Sequence, residues 1–148
     1  MNINQEMFAS KLCEMERQYG KLQSRIHICG QENQEEIRQE LEKAKEEYKE
    51  HSLILQKSVE GSRSQAVAEL ARAQLECSKK MEDLMKDGRL EEYLHTGVSS
   101  HQEDESEAAA LYAEFAIDSA VQSMQYALIA ALSAMDLQMN TDKTKGVF

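Results

Sequence analysis

The sequence contains no proline and no tryptophan among its 148 residues, and only six glycines and three cysteines. Average usage would place about seven prolines in a chain of this length. Proline breaks helix interiors, so its absence points to a chain that is mostly helix. So few glycines exclude folds that need many tight turns or a glycine-rich phosphate loop. No CxxC pair occurs among Cys13, Cys29 and Cys77, which excludes a zinc knuckle and a thioredoxin-type motif. An odd number of widely separated cysteines favours a reducing, cytoplasmic setting in which the thiols act as small hydrophobes. The N-terminus has no basic segment followed by an apolar one, so no signal peptide is expected. The longest uncharged run, 119–135, is seventeen residues and includes Gln122, Ser123 and Gln125. A membrane span needs about 20 predominantly apolar residues, so a buried helix is expected there.

Positive charge is also missing from one long stretch. Residues 91–142 contain no lysine or arginine but ten acids: Glu91, Glu92, Glu103, Asp104, Glu105, Glu107, Glu114, Asp118, Asp136 and Asp142. Residues 1–90 are close to balance, with 15 basic side chains against 17 acidic ones, and Lys143 and Lys145 follow the acidic stretch. The formal net charge of −10 therefore belongs to one part of the chain. It argues against direct binding of nucleic acid or of anionic lipid through a basic patch.

Apolar residues at heptad spacing are what the sequence does have. Phe8, Leu12, Met15, Tyr19, Leu22, Ile26 and Cys29 form a seam over residues 4–29, with Asn2 or Asn4 as its cap and Gly30 as its stop. Asn33, three residues before Glu36, has the spacing of a cap for a second helix over 33–59, carried by Ile37, Leu41, Ala44 and Tyr48. The rhythm slips after Leu55 and Val59 and resumes as Ala66, Leu70, Ala73, Cys77, Met81 and Leu84. Either a stutter runs through a continuous helix, or the chain breaks near Gly61 and restarts with Ser62–Gln65 as a capping box. We favour the break, which gives a third helix over 62–86. Lys86-Asp87-Gly88 ends it, a short amphipathic turn covers Leu90 to Leu94, and 95–100 is a loop.

Ser100 and Glu103 have capping-box spacing for a last helix over 103–139. The acids that follow suit the positive end of a helix dipole. Ile117, Val121, Met124, Leu128, Ala131 and Met135 line one face of it, and Ala113, Ala116, Ala120, Ala127, Ala130 and Ala134 another. Such a helix is covered nearly all round, either at the centre of a bundle or where subunits meet. The remaining tail, 140–148, is polar until Val147 and Phe148 and is expected to be mobile. The expected fold is all-α: a single domain forming an antiparallel three- to four-helix bundle or coiled-coil hairpin with a long apolar C-terminal helix.

Chemistry-bearing motifs are few. Glu92-Tyr-Leu-His95 matches Glu-x-x-His, but a di-iron bundle needs that motif twice, plus two more inward glutamates. His95 and His101 flank an exposed loop. Cys13 sits beside Glu14 and Glu16, an acidic setting that does not activate a thiol. No P-loop, nucleophile elbow or dinucleotide fingerprint is present. No catalytic residue, cofactor or metal is expected. The pattern is common to small helical adaptors, secretion chaperones and phage or mobile-element accessory proteins.

Two functions fit the residues. The first is a non-enzymatic protein–protein interaction module that associates with itself or with another protein through Ile117, Val121, Met124, Leu128 and Met135. The second is an acidic inhibitor or nucleic-acid mimic of a phage or mobile element. It would present Glu91, Glu92, Glu103, Asp104, Glu105 and Glu107 to a basic surface on its partner.

Overall fold

The computed structural model describes residues 3–29, 33–61 and 63–146. Asn2, Gly30, Ser62, Val147 and Phe148, to which the sequence assigns caps, a helix stop and the end of the tail, lie outside the described residues. Those residues form five helices and no strand: α1 (Ile3–Cys29), α2 (Gln34–Gly61), α3 (Gln65–Lys86), α4 (Arg89–Leu94) and α5 (His101–Lys145). The fold is an all-α helical bundle. By contacts the chain, read from sequence as one domain, divides into two compact units: Glu32–Ala113, and Met1–Gln31 with Glu114–Phe148.

In the first unit α2 packs against α3, and α3 against α4. Asn33 starts α2 by accepting the backbone N–H groups of Glu35 and Glu36 on its side-chain oxygen, at 3.1 and 3.3 Å. The helix ends at Gly61 and α3 begins four residues later, so the phase slip marks a break and not a stutter. The N-cap of α3 is Ser64, whose side chain accepts from the Val67 N–H at 3.4 Å. That is two residues beyond the serine expected to do so. A short connection between two packed helices makes them an antiparallel hairpin.

The face that α3 turns inward differs from the stripe read in the sequence. Leu70 is 73% exposed, Cys77 is exposed, and the covered positions are Ala68, Ala71, Leu75, Ser78, Met81, Glu82 and Met85, of which only Met81 belongs to that stripe. They meet a similar mixture on α2, where Ser52, Leu55, Ser58 and Val59 are half-buried. The hydroxyls are satisfied locally, Ser52 donating to the Tyr48 carbonyl at 3.0 Å and Ser58 to that of Ile54 at 3.2 Å. A polar atom bonded within its own helix can be covered at little cost, so the stripe of largest residues need not be the one that packs.

Helix α3 stops at Asp87, and Gly88 follows in the left-handed region with φ +62°. Glycine adopts that conformation without the steric penalty a Cβ brings, and it lets the chain turn at once into α4.

The second unit holds α1 and the part of α5 from Glu114. In α1 the side chains of Phe8 and Met15 are half-buried, while Leu12, Tyr19, Leu22 and Ile26 on the same seam are exposed. Helix α5 is 45 residues long, about 67 Å at 1.5 Å per residue. It continues past Met139 into the tail expected to be mobile. Thr141 and Thr144 donate their hydroxyls to the carbonyls of Leu137 and Asn140, at 3.0 and 2.9 Å. Lys143 and Lys145 occupy the last turn, where the negative end of the helix dipole favours them.

Candidate functional site

Two features stand out, one in each unit. The first lies where α4, the loop after it and the start of α5 come together. Ser100 and Glu103 form the reciprocal capping box: the Ser100 N–H donates to Glu103 Oε2 at 3.2 Å, and the Glu103 N–H to Ser100 Oγ at 3.1 Å. Thr96 and Ser99 tie the loop, the Thr96 N–H donating to Ser99 Oγ at 3.0 Å and the Ser99 N–H to Thr96 Oγ1 at 3.2 Å.

Across this loop His95 Nδ1 lies 2.6 Å from Asp104 Oδ2, a hydrogen bond in which the imidazole donates to the carboxylate. Ser99 Oγ lies 3.3 Å from the same nitrogen. Asp104 is only 4% exposed. The Ser99 hydroxyl first, then the His95 hydrogen bond and the positive charge of His95 and His101, hold its carboxyl below the usual carboxylate range against its burial. One turn on, Ala108 is 1% exposed, and a further turn on Tyr112 donates its hydroxyl to the Met81 carbonyl on α3 at 3.4 Å. Asp104, Ala108 and Tyr112 therefore form the stripe that seats the first turns of α5, with His95 as its latch.

Two of the acids expected to meet a partner are already engaged within the chain. Asp104 is buried against His95, and Glu103 is engaged in its cap. Glu91, Glu92 and Glu105 remain together around an open cleft of ≈ 680 Å³ that His95, His101 and Asp104 also line. Glu107 lines a different hollow, beside Glu103 and Ser106. The six acids are thus divided between two surfaces. Among the described residues no group of three or more His, Cys, Asp or Glu side chains is arranged to hold a metal ion. His95, the histidine of the Glu-x-x-His motif, is bonded to Asp104.

The second feature is the apolar length of α5. Every residue from 113 to 130 is exposed. The run contains Ile117, Val121, Met124 and Leu128, the face expected to meet a partner, and also Phe115, Tyr126 and Ile129. Met135 alone of the five expected contacts is half-buried. Apolar residues are spread round the helix and not gathered to one side. No helix among the described residues is long and apolar enough to cross a membrane.

The sequence missed the latch and the Tyr112 contact. An acid four residues before Ala108 and eight before Tyr112 was the available signal, since that spacing puts all three on one helix face. No family model, curated protein or solved structure matches the chain.

Proposed function

We propose that the protein is a non-enzymatic interaction module whose long helix α5 is covered by another helix in its working form. The observation that carries this reading is the exposed run from 113 to 130, where Phe115, Ile117, Val121, Met124, Leu128 and Ile129 all face solvent. Monomeric soluble proteins rarely leave contiguous apolar patches beyond a few hundred Å² uncovered, and larger ones mark places where something binds. Each such side chain contributes roughly 1.5–3 kcal/mol when fully buried, so the helix holds a large unused driving force. The reading assigns the protein to the cytoplasm, supported by the free, exposed thiols of Cys13 and Cys77. Light scattering on fractions from size exclusion tests it. An assembly larger than one chain, or a stable complex with a partner protein, is expected. A monomer that binds no apolar-surface dye would sink the proposal.

The acidic cleft supports a second reading, an acidic inhibitor of a basic partner surface, through Glu91, Glu92 and Glu105. It is the weaker of the two, because Asp104 and Glu103 are already engaged within the chain. Charge reversal of Glu91, Glu92 and Glu105 should abolish salt-sensitive binding to a basic partner. Unchanged binding would count against this role.

A further inference from the structure

We infer that the partner of α5 is a second copy of α5, running antiparallel, in a register that sets Ile117 opposite Met135 of the other copy. This rests on the proposal that α5 is an interaction helix and adds orientation and pairing to it. The seam residues Ile117, Val121, Met124, Leu128, Ala131 and Met135 follow one another at alternating spacings of four and three. A seam of that kind fits its own copy in either direction. In the antiparallel direction its layers are Ile117 with Met135, Val121 with Ala131, and Met124 with Leu128, each occurring twice about a central twofold axis. Every one of these layers is apolar, two of them pairing large side chains and one pairing Val121 with the smaller Ala131.

Charge decides between the two directions. The same seam continues at both ends, through Glu114 and Glu107 toward the start of α5 and through Asp142 and Lys145 toward its end. In a parallel pair each of these four would face its own copy, giving four layers of like charge. In the antiparallel register Glu107 meets Lys145, Glu114 meets Gln138, and Asp142 meets Ala110. No layer carries like charges, and the two end layers carry opposite ones. Buried or closely spaced like charges oppose association, and opposite ones fix register. Glu107 and Lys145 are exposed in the single chain.

The test uses the full chain with Cys13, Cys29 and Cys77 changed to serine, after light scattering has established its assembly state. Ile117→Cys and Met135→Cys proteins are oxidised separately and as an equal mixture. A disulfide needs Cα atoms about 4.4–6.8 Å apart, whereas in the antiparallel pair two copies of residue 117 lie about 27 Å apart along the axis. The mixture should therefore give a covalent dimer while each protein alone gives none. Cross-linking of Ile117→Cys to itself would overturn the orientation while leaving the interaction helix standing, and a dimer with neither cross-link would overturn the pairing. A monomer at all concentrations would overturn this inference, and it would overturn the proposed function as well only if that monomer also bound no apolar-surface dye and no partner protein. An independent check changes charge alone: Lys145→Glu should weaken the dimer roughly tenfold, and Glu107→Lys added to it should restore it. Absence of that restoration would also overturn the register.

Discussion

Replacing Leu128 by alanine separates the stability of the chain from its association. Leu128 is 58% exposed in the single chain. Removing its side chain beyond Cβ deletes three carbon groups, worth about 0.8 kcal/mol each when fully buried. Scaling by the exposed fraction leaves about 1.4 kcal/mol still to be gained by each copy on association. Two copies in a symmetric dimer would lose about 2.8 kcal/mol, a weakening of roughly a hundredfold. The isolated chain should be unharmed, since alanine is the better helix former by a few tenths of a kcal/mol. Sedimentation equilibrium over a dilution series measures the first quantity, and far-UV circular dichroism at high dilution the second. Tyr126→Ala is the control, because Tyr126 is 73% exposed but lies off the seam. If Leu128→Ala and Tyr126→Ala shifted the dissociation constant equally, or neither shifted it, the assignment of this face would be refuted.

Other perturbations test the frame that holds α5. Gly88→Ala places a Cβ on a residue with φ +62° and 3.1 Å from Glu91 Oε2. It should lower stability by about 1–2 kcal/mol, read from thermal unfolding. Ser64→Ala removes the cap of α3 and should cost about 1 kcal/mol, visible as a lower melting temperature without loss of helix elsewhere. The Asp104 carboxyl is held below its usual range in the folded chain. The stability it contributes is therefore fully present above the ordinary carboxylate range and lost as pH falls through its folded-state value. Asp104→Asn should flatten the acid limb of a stability–pH profile; an unchanged acid limb would show that His95 and Asp104 are not linked in this way.

Features that depend on a few neighbouring residues were legible in the sequence. The Asn33 cap, the end of α2 at Gly61, the turn at Gly88 and the Ser100–Glu103 box each involve groups within about four positions, and all four stand in the structure. The face of α3 that packs was not legible, because it is chosen by what α2 offers opposite it. Ser52 and Ser58 are half-buried on α2, and Ala68 and Ala71 are covered on α3 while the larger Leu70 stays exposed. The His95–Asp104 bond joins residues nine positions apart across a loop, and no periodicity announces such a pair. The acidic cluster looked like one surface because charge was counted along the chain, whereas burial of Asp104 and the cap at Glu103 are matters of three dimensions. For α5 the composition indicated a helix covered nearly all round, whereas residues 113–130 are exposed in the single chain.

The α2–α3 hairpin has a consequence for the order of folding. Its partners are consecutive in the chain, so little loop-closure entropy opposes their meeting, and folds rich in such low contact order form fast. The seating of α5 joins Tyr112 to Met81, residues 31 positions apart, and comes later for the same reason. During synthesis the segment through Lys86 emerges from the ribosome ahead of α5, so the hairpin can act as the template on which α5 begins. Pulse-labelled amide exchange during refolding should find α2 and α3 protected before residues 104–112. Simultaneous protection of all three would mean that α5 helps to build the hairpin that receives it.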